Sequence, residues 1–153
     1  MEFRLVLTKH TENRSYNLKI TEIMSFFSSC ENSESRYKKI IELGKEQVSF
    51  TAEHKIEENL VKGCQSLMYL HSYLKDGRIY FESYSDALIS SGLAVLLTKV
   101  YSGEKPETVL KSPPDYLNDL SIHTSLSPSR SNGLSSLHLR MKQDAIKSFL
   151  SAS

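Results

Sequence analysis

Residues 66–84, SLMYLHSYLKDGRIYFESY, decide the fold, because two runs of large apolar and aromatic residues flank a short turn. The turn is Asp76-Gly77, and both central residues of a tight hairpin turn of this kind need a positive backbone dihedral φ. The pattern therefore predicts a β-hairpin. A further strand at residues 56–61 would complete a small three-stranded antiparallel sheet.

Two helical patterns precede this sheet. Apolar residues recur at helical spacing between residues 20 and 27, with Thr21 as a plausible cap. A second amphipathic run begins after Asn32 or Ser33, either of which can cap a helix, and Gly44 is a suitable end. These patterns predict two helices before the hairpin.

Further helices are predicted after the hairpin. Residues 85–103 are apolar on nearly every side, which is typical of a central buried helix, here capped by Ser85. Short helical turns follow, broken by Pro113-Pro114. A last helix has a moderate apolar stripe formed by Leu134, Leu137, Met141 and Phe149. The predicted fold class is α+β, with the sheet packed against helices.

The composition is that of an ordinary globular domain. The chain has 153 residues, 39% of them apolar and 24% charged, with a net charge of +1. This balance does not indicate a nucleic-acid partner, and no apolar run is long enough to cross a membrane. Residues 1–19, which include the strand-like FRLVL, are predicted as an N-terminal extension of a domain at residues 20–153. We expect a cytoplasmic, reducing setting, since two cysteines 34 positions apart do not form a disulfide framework.

Cys64, within LVKGCQSLMYL, is the first candidate for chemistry. Gly63 permits a sharp turn before it, and two polar residues, Gln65 and Ser66, follow it, which suits a loop tip. A reactive thiol and buried filler are both compatible with this pattern, and Lys62 is a nearby cation that can favour the thiolate. Cys30, in contrast, continues the apolar face of the first predicted helix and is interpreted as structural.

Metal and hydrolase chemistry are less well supported. The histidines form no close cluster, and the two cysteines are not at metal-ligand spacing, so we predict no metal site and no cofactor. A Cys–His hydrolase would need a partner for Cys64, for which His71, seven residues further on, is one candidate. Its position on a strand is more typical of a half-exposed surface residue. The other histidines are His10, His54, His123 and His138.

Arg130 occupies a helical position that disfavours a positively charged residue. If Ser127 caps the last helix and Pro128 is its first residue, Arg130 is the third, where a cation opposes the helix dipole. One interpretation is that Arg130 binds a carboxylate of a partner or raises the positive potential near a thiolate. The other is a solvated arginine that costs a few tenths of a kcal/mol.

Three stretches together resemble the SufE/CsdE family of sulfur acceptors. They are SRYKKIIELGKE, then VKGCQS with SDALISSGLAVLL downstream, and finally LSPSRSNGL. The resemblance extends over about residues 21–150. It implies an α+β fold with a topology shared with iron–sulfur scaffold proteins of the IscU type. Tyr69 departs from the tryptophan that many relatives carry there.

The resemblance also implies a function. A PLP-dependent cysteine desulfurase of the SufS or CsdA type would pass persulfide sulfur to Cys64, and a SufBCD-type iron–sulfur assembly scaffold would receive it. The resemblance makes Gly63, Gln65 and Ser66 the supporting loop, and Arg130 and Asp86 part of the partner face. It further implies that the cysteine is sheltered in an apolar pocket, which we expect from Leu60, Val61, Leu67 and Met68. On this reading the protein is a carrier and activator and not itself an enzyme.

Two alternatives stay open at the level of the sequence. A regulatory binding module could stimulate a desulfurase without carrying sulfur. A stand-alone cysteine-dependent enzyme would instead turn over a small substrate without any partner.

Overall fold

The structure is a computed structural model, and it describes residues 13–47 and 50–152. Within them the α+β class is confirmed. The elements are α1 (Arg14–Phe27), α2 (Ser33–Lys45), β1 (Met68–Lys75), β2 (Arg78–Ser85), α3 (Leu88–Tyr101), α4 (Pro106–Lys111), α5 (Tyr116–Asp119), α6 (Ile122–Ser125) and α7 (Pro128–Ala152). Two short 3-10 turns, Ala52–His54 and Glu57–Asn59, lie between α2 and β1. The strand-like residues 3–7 lie outside the described residues.

The predicted hairpin is confirmed. Strands β1 and β2 pair antiparallel from Met68 opposite Ser85 to Lys75 opposite Arg78. The turn residue Asp76 has a φ of 52°, and the glycine after it has a φ of 77°. The hairpin therefore closes with the backbone geometry that an Asp-Gly pair favours.

The predicted third strand is wrong, since the described residues form a two-stranded sheet. Residues 57–59 turn instead of extending, because the Leu60 N–H bonds the carbonyl of Glu57 at 3.0 Å. Among the described residues outside the hairpin, a single isolated bridge, between Leu60 and Tyr69, pairs with β1. This bridge nevertheless fixes the start of the loop that carries Cys64.

Helix α3 is the central buried helix that the sequence predicts. Leu96, Leu97 and Val100 are fully buried in it, and the helix packs against α2 and β2. A Cβ atom on Gly92 would lie 1.8 Å from the backbone oxygen of Ile40 in α2, so only glycine allows this approach. The core of the domain therefore lies around α3.

The predicted start of α3 is wrong. The helix begins at Leu88 and not next to Ser85, which is the last residue of β2. The Ser85 hydroxyl instead accepts a hydrogen bond from the Ala87 N–H at 3.3 Å. Strand pairing thus extends further along the chain than the helical periodicity suggests.

Helix α1 begins earlier than predicted. It starts at Arg14, and the proposed cap, Thr21, lies inside it and donates its hydroxyl to the carbonyl of Asn17. The reason is tertiary, because Tyr16 in the first turn is buried in the core and Lys19 forms a 2.6 Å ion pair with the buried Glu104. This pair ties the first helix to the segment that follows α3.

Helix α2 begins as predicted and ends one residue later than expected. The side chain of Asn32 accepts from the Ser35 N–H at 2.8 Å, and the Ser35 side chain reaches back in a capping box. The helix continues past Gly44 to Lys45, because Gly44 lies against α3, where its ideal Cβ would be 2.9 Å from the nitrogen of Gly92. This glycine serves helix packing and not helix termination.

Helix α7 is the longest element and supports the candidate site. Leu134, Leu137 and Met141 of the predicted stripe are buried, whereas Phe149 is 44% exposed, so the stripe ends before it. The stripe is shorter than predicted because the last turns of α7 extend past the core. No helix in the described part of the chain is long and apolar enough to cross a membrane.

Candidate functional site

Cys64 lies in a loop that is closed at its base. The Val61 N–H donates a hydrogen bond to the carbonyl of Met68 at 2.8 Å. This bond joins the two ends of the loop formed by residues 61–68. Gly63 has a φ of 92°, and a Cβ atom there would lie 2.5 Å from the Ser136 hydroxyl oxygen. Only glycine fits this turn without displacing Ser136, which explains the residue before Cys64.

The Cys64 side chain points inward, towards α7. The side chain is half-buried, and its thiol lies 3.5 Å from the backbone oxygen of Gly133, within hydrogen-bonding range for sulfur. An ideal Cβ on Gly133 would come 3.5 Å from the Cys64 Sγ atom, so the α7 backbone passes directly beside the thiol. The free protein therefore keeps this thiol turned away from bulk solvent.

A cavity of about 280 Å³ lies beside the thiol. Its walls combine apolar side chains with a set of hydroxyl groups and Arg130. The apolar lining residues are Met68, Leu93, Ala94, Leu134 and Leu137, and the serines are Ser66, Ser90, Ser127 and Ser129. The cavity is thus apolar against the core and polar around the start of α7.

The expectation that the loop's own apolar residues form the pocket is mostly wrong. Met68 lines the cavity, but Leu67 is 42% exposed, and Leu60 and Val61 line a neighbouring groove. The other apolar walls come instead from buried side chains of α3 and α7.

Arg130 lies where the sequence places it, at the third position of α7. Its N–H points to the Ser127 hydroxyl at 3.4 Å, and the Ser131 N–H donates to the Ser127 carbonyl at 3.0 Å, so Ser127 is the cap. The Arg130 side chain is exposed and lines the same cavity as Cys64. Residues 66 positions apart in the chain therefore share one surface.

Asp86 is not part of this cavity. It is exposed, lies in the short link between β2 and α3, and lines a separate groove together with Gly44 and Ser91. The geometry therefore brings together Cys64, Gln65, Ser66 and Arg130, and leaves Asp86 apart from them.

Burial controls the acidity of the thiol. Burial raises the pKa of the Cys64 thiol above its ordinary value. Lys62, the cation expected to favour the thiolate, is exposed and lines the neighbouring groove. In its sheltered position Cys64 is therefore a protonated, weakly nucleophilic thiol at neutral pH.

The rate at which iodoacetamide alkylates Cys64 should rise with pH along a curve centred above the ordinary thiol pKa. The thiolate is the reacting form, and burial disfavours it in the folded protein. In urea the curve should return to about 8.5, the value of an unburied thiol. Mass spectrometry of the Cys64 peptide measures both curves, and a folded-state curve at or below the unfolded one would contradict this assignment.

The described histidines do not supply a base for Cys64. His71 stacks on His54 with ring centroids 3.6 Å apart, and His138 lies 5.6 Å from the ring of Tyr101. His123 is exposed on α6, and none of these rings lines the cavity. Within the described part of the chain, no Cys–His pair is assembled at this site.

The other cysteine contrasts with Cys64. Cys30 follows the end of α1, is half-buried and packs against the hydrophobic core. Among the described residues, no group of three or more histidine, cysteine or acidic side chains is placed to hold a metal ion.

Sequence reasoning missed the contribution of α3 to the site. Ser90, Leu93 and Ala94 line the cavity, and their spacing puts them on one helical face. The spacing predicts that these three residues contact the same part of the fold, but it does not identify that part as the Cys64 loop.

Comparisons with known proteins bear on this site. The family model described as "SufE: Fe-S metabolism associated domain" matches residues 21–145. An uncharacterized SufE-like protein of Synechocystis sp. is 31% identical over 127 residues, which cover 83% of this chain and 80% of that protein. The cysteine desulfuration protein SufE of Plasmodium falciparum is 32% identical, covering 83% of this chain and 54% of that protein.

Two further similarities concern a longer relative and the fold. A chloroplastic/mitochondrial SufE-like protein of Arabidopsis thaliana is 33% identical over 129 residues, 84% of this chain but 35% of that protein. The chain thus spans about a third of the Arabidopsis protein and about half of the Plasmodium one. The solution structure of a hypothetical protein from Thermus thermophilus superposes with a TM-score of 0.71 at 23% identity, covering 86% of this chain and 96% of that one. This likeness shows a shared fold.

Proposed function

This chain belongs to the SufE family, associated with Fe-S metabolism and cysteine desulfuration, and on that premise we propose that it accepts sulfur on Cys64 from a cysteine desulfurase. The observation that carries the proposal is the half-buried Cys64 thiol, which lies in a loop closed at its base and lines a cavity of about 280 Å³. The thiol is sheltered but lies near the surface, which suits a carrier.

The transfer step is a thiol–persulfide exchange. The Cys64 thiolate attacks the outer sulfur of the desulfurase persulfide, a new S–S bond forms, and the desulfurase cysteine leaves as a thiolate. No external oxidant or reductant is needed, because one S–S bond replaces another. The outer sulfur then belongs to Cys64 as a persulfide.

Docking would both expose and activate the thiol. Burial raises the pKa of Cys64, so movement of the loop into a partner's more polar site would increase the thiolate fraction. In the free protein the same burial protects a bound persulfide from other thiols. This coupling links the release of sulfur to the presence of a partner.

The later fate of the sulfur forms part of the same proposal. A scaffold for iron–sulfur assembly, of the SufBCD type, would take the outer sulfur by a second exchange at Cys64. The name of the Plasmodium relative supports a role in desulfuration, and the family description supports the link to Fe-S metabolism. The cytoplasmic setting stays a prediction, since the Arabidopsis relative is named as chloroplastic/mitochondrial.

A single-turnover transfer experiment tests the proposal. The desulfurase is loaded with radioactive sulfur from labelled cysteine, freed of excess cysteine and mixed with this protein. We expect the label to move to this chain and to be released by a reducing agent, as a persulfide would be. Label that stays on the desulfurase, although this protein speeds alanine release in a parallel assay with excess cysteine, would favour the regulatory binding module instead.

Replacing Arg130 with glutamate should weaken stimulation of the desulfurase by about tenfold, the scale of losing one charge-assisted contact at an interface. Arg130 is exposed on the rim of the Cys64 cavity, so the change reverses a charge where we place the partner. The apparent affinity in an alanine-release assay measures the effect. Lys147→Glu, an exposed charge reversal near the other end of α7, is the control.

Circular dichroism should show both variants folded like the wild type. Equal stimulation by the Arg130 and Lys147 variants would show that Arg130 is a solvated surface arginine that does not contribute to binding the desulfurase.

A further inference from the structure

The Cys64 loop is joined to α3 by a pair of serine hydroxyls. The Ser90 hydroxyl, in the first turn of α3, lies 3.1 Å from the Ser66 hydroxyl and donates a hydrogen bond to it. Both side chains are half-buried and line the cavity beside the thiol. Ser66 is two residues after Cys64, so this contact acts on the returning arm of the loop.

The base of the loop is held by separate and stronger contacts. The Arg140 guanidinium of α7 donates to the carbonyl of Leu60 at 3.2 Å and also to the carbonyl of Glu58. Asp144 pairs with Arg140 at 3.1 Å and accepts a 2.6 Å hydrogen bond from Ser72 of β1. This network fixes the chain before the loop to both α7 and the hairpin.

The tip of the loop has far fewer contacts. In the described residues, the side-chain hydrogen bonds that hold residues 62–67 to the helices are the Ser66–Ser90 bond and the 3.5 Å contact from Cys64 to Gly133. The neighbouring tip residues Lys62, Gly63, Gln65 and Leu67 are exposed. Outward movement of Cys64 therefore requires two weak bonds to break while the base stays in place.

We propose that Ser66 and Ser90 form a latch that positions Cys64 inward and sets the fraction of molecules in which the loop tip is open. The inference rests on the proposed sulfur-acceptor function, for which it names the positioning residues. A bond between two neutral hydroxyls is weak, so a docking partner can break it at small cost. An ion pair at the same place would oppose release far more strongly.

Removing the latch should make Cys64 react faster in the free protein. In Ser90→Ala we expect iodoacetamide to alkylate Cys64 about two- to tenfold faster, the range for loss of one neutral hydrogen bond. Because the open tip exposes the thiol, the pH curve of alkylation should also move towards that of an ordinary thiol. Peptide mass spectrometry on the whole protein gives the rate at Cys64 alone.

A mutant cycle separates a latch from a general loosening. Ser66→Ala should give the same acceleration, and the double variant should add nothing, because one bond is lost in every case. Ser90→Thr keeps the hydroxyl and should restore the slow rate. Ser91→Ala, which removes a 3.2 Å bond to Gln47 from the same helix turn, should leave the rate unchanged.

Several outcomes would overturn the latch. They are an unchanged or slower rate in both single variants, additive effects in the double variant, or equal acceleration in Ser91→Ala. If Ser90→Ala does not fold, Ser66→Ala alone tests the latch. Ser66 lies in the loop and not in a helix of the core, so we expect this variant to fold. No desulfurase is present, so failure here is distinct from failure of the proposed function, which would show as wild-type protein that takes up no sulfur.

Discussion

Cys64→Ser should reduce stimulation of the desulfurase to the rate of the desulfurase alone. A serine hydroxyl is nearly isosteric, but it is not ionised near neutral pH and cannot form a persulfide. The fold should persist, because the side chain is only half-buried and the loop base is held by Val61 and Met68. Alanine release from cysteine under turnover conditions measures the loss.

Cys30→Ser is the matched control for this experiment. Cys30 is also half-buried, but it packs against the core and does not line the Cys64 cavity. We expect this variant to stimulate the desulfurase like the wild type. Stimulation that survived Cys64→Ser would mean that the protein acts as a regulatory binding module, and turnover of a small substrate without a partner would indicate an enzyme acting alone.

Lys19→Met should destabilise the fold by about 3 kcal/mol, the low end of the range for removing one partner of a buried ion pair. Glu104 has a side-chain exposure of 2%, and Lys19 one of 23%. The lysine ammonium is also bonded to the carbonyl of Ser102 at 2.6 Å. Without it, the buried carboxylate keeps the Ser15 hydroxyl as its partner among the described residues. Urea unfolding followed by circular dichroism measures the free energy of unfolding.

A double variant tests the cause of this loss. Lys19→Met combined with Glu104→Leu removes the unpaired charge, so it should recover most of the lost stability. A single variant as stable as the wild type would show that the pair does not hold α1. A double variant less stable than the single one would show that Glu104 contributes beyond its pairing.

Features set by neighbouring residues were predictable from the sequence. The Asp76-Gly77 turn fixes the hairpin register, since Lys75 and Arg78 must then face each other. The cap of α7 follows from Ser127 and the proline after it, which puts Arg130 at the third position. In each case the deciding contacts lie within a few residues, where local preference is reliable.

Features set by distant residues were not predictable in the same way. The first turns of α1 are held by contacts of Ser15 and Lys19 with Glu104, which lies 89 and 85 positions further along the chain. Thr21 can satisfy its hydroxyl inside the helix, so it gives no signal of where the helix begins. Tertiary contacts therefore override the local capping preference here.

The candidate site also combines features set by neighbouring residues with features set by distant ones. The glycine-led turn before Cys64 is visible in the sequence, but the walls of its cavity are not. Ser90 and Leu134 reach the loop from two helices that are far away in the chain. The inward-pointing thiol contacts the backbone oxygen of Gly133, and no pattern around Cys64 specifies that contact.

The most direct test is the mass of this protein after incubation with its desulfurase and cysteine. Peptide mapping under non-reducing conditions should find a gain of one sulfur atom on the peptide that contains Cys64, removable by a reducing agent. The Cys30 peptide should be unchanged. A protein that stimulates the desulfurase but carries no added sulfur on Cys64, or carries it on Cys30 instead, would contradict the account.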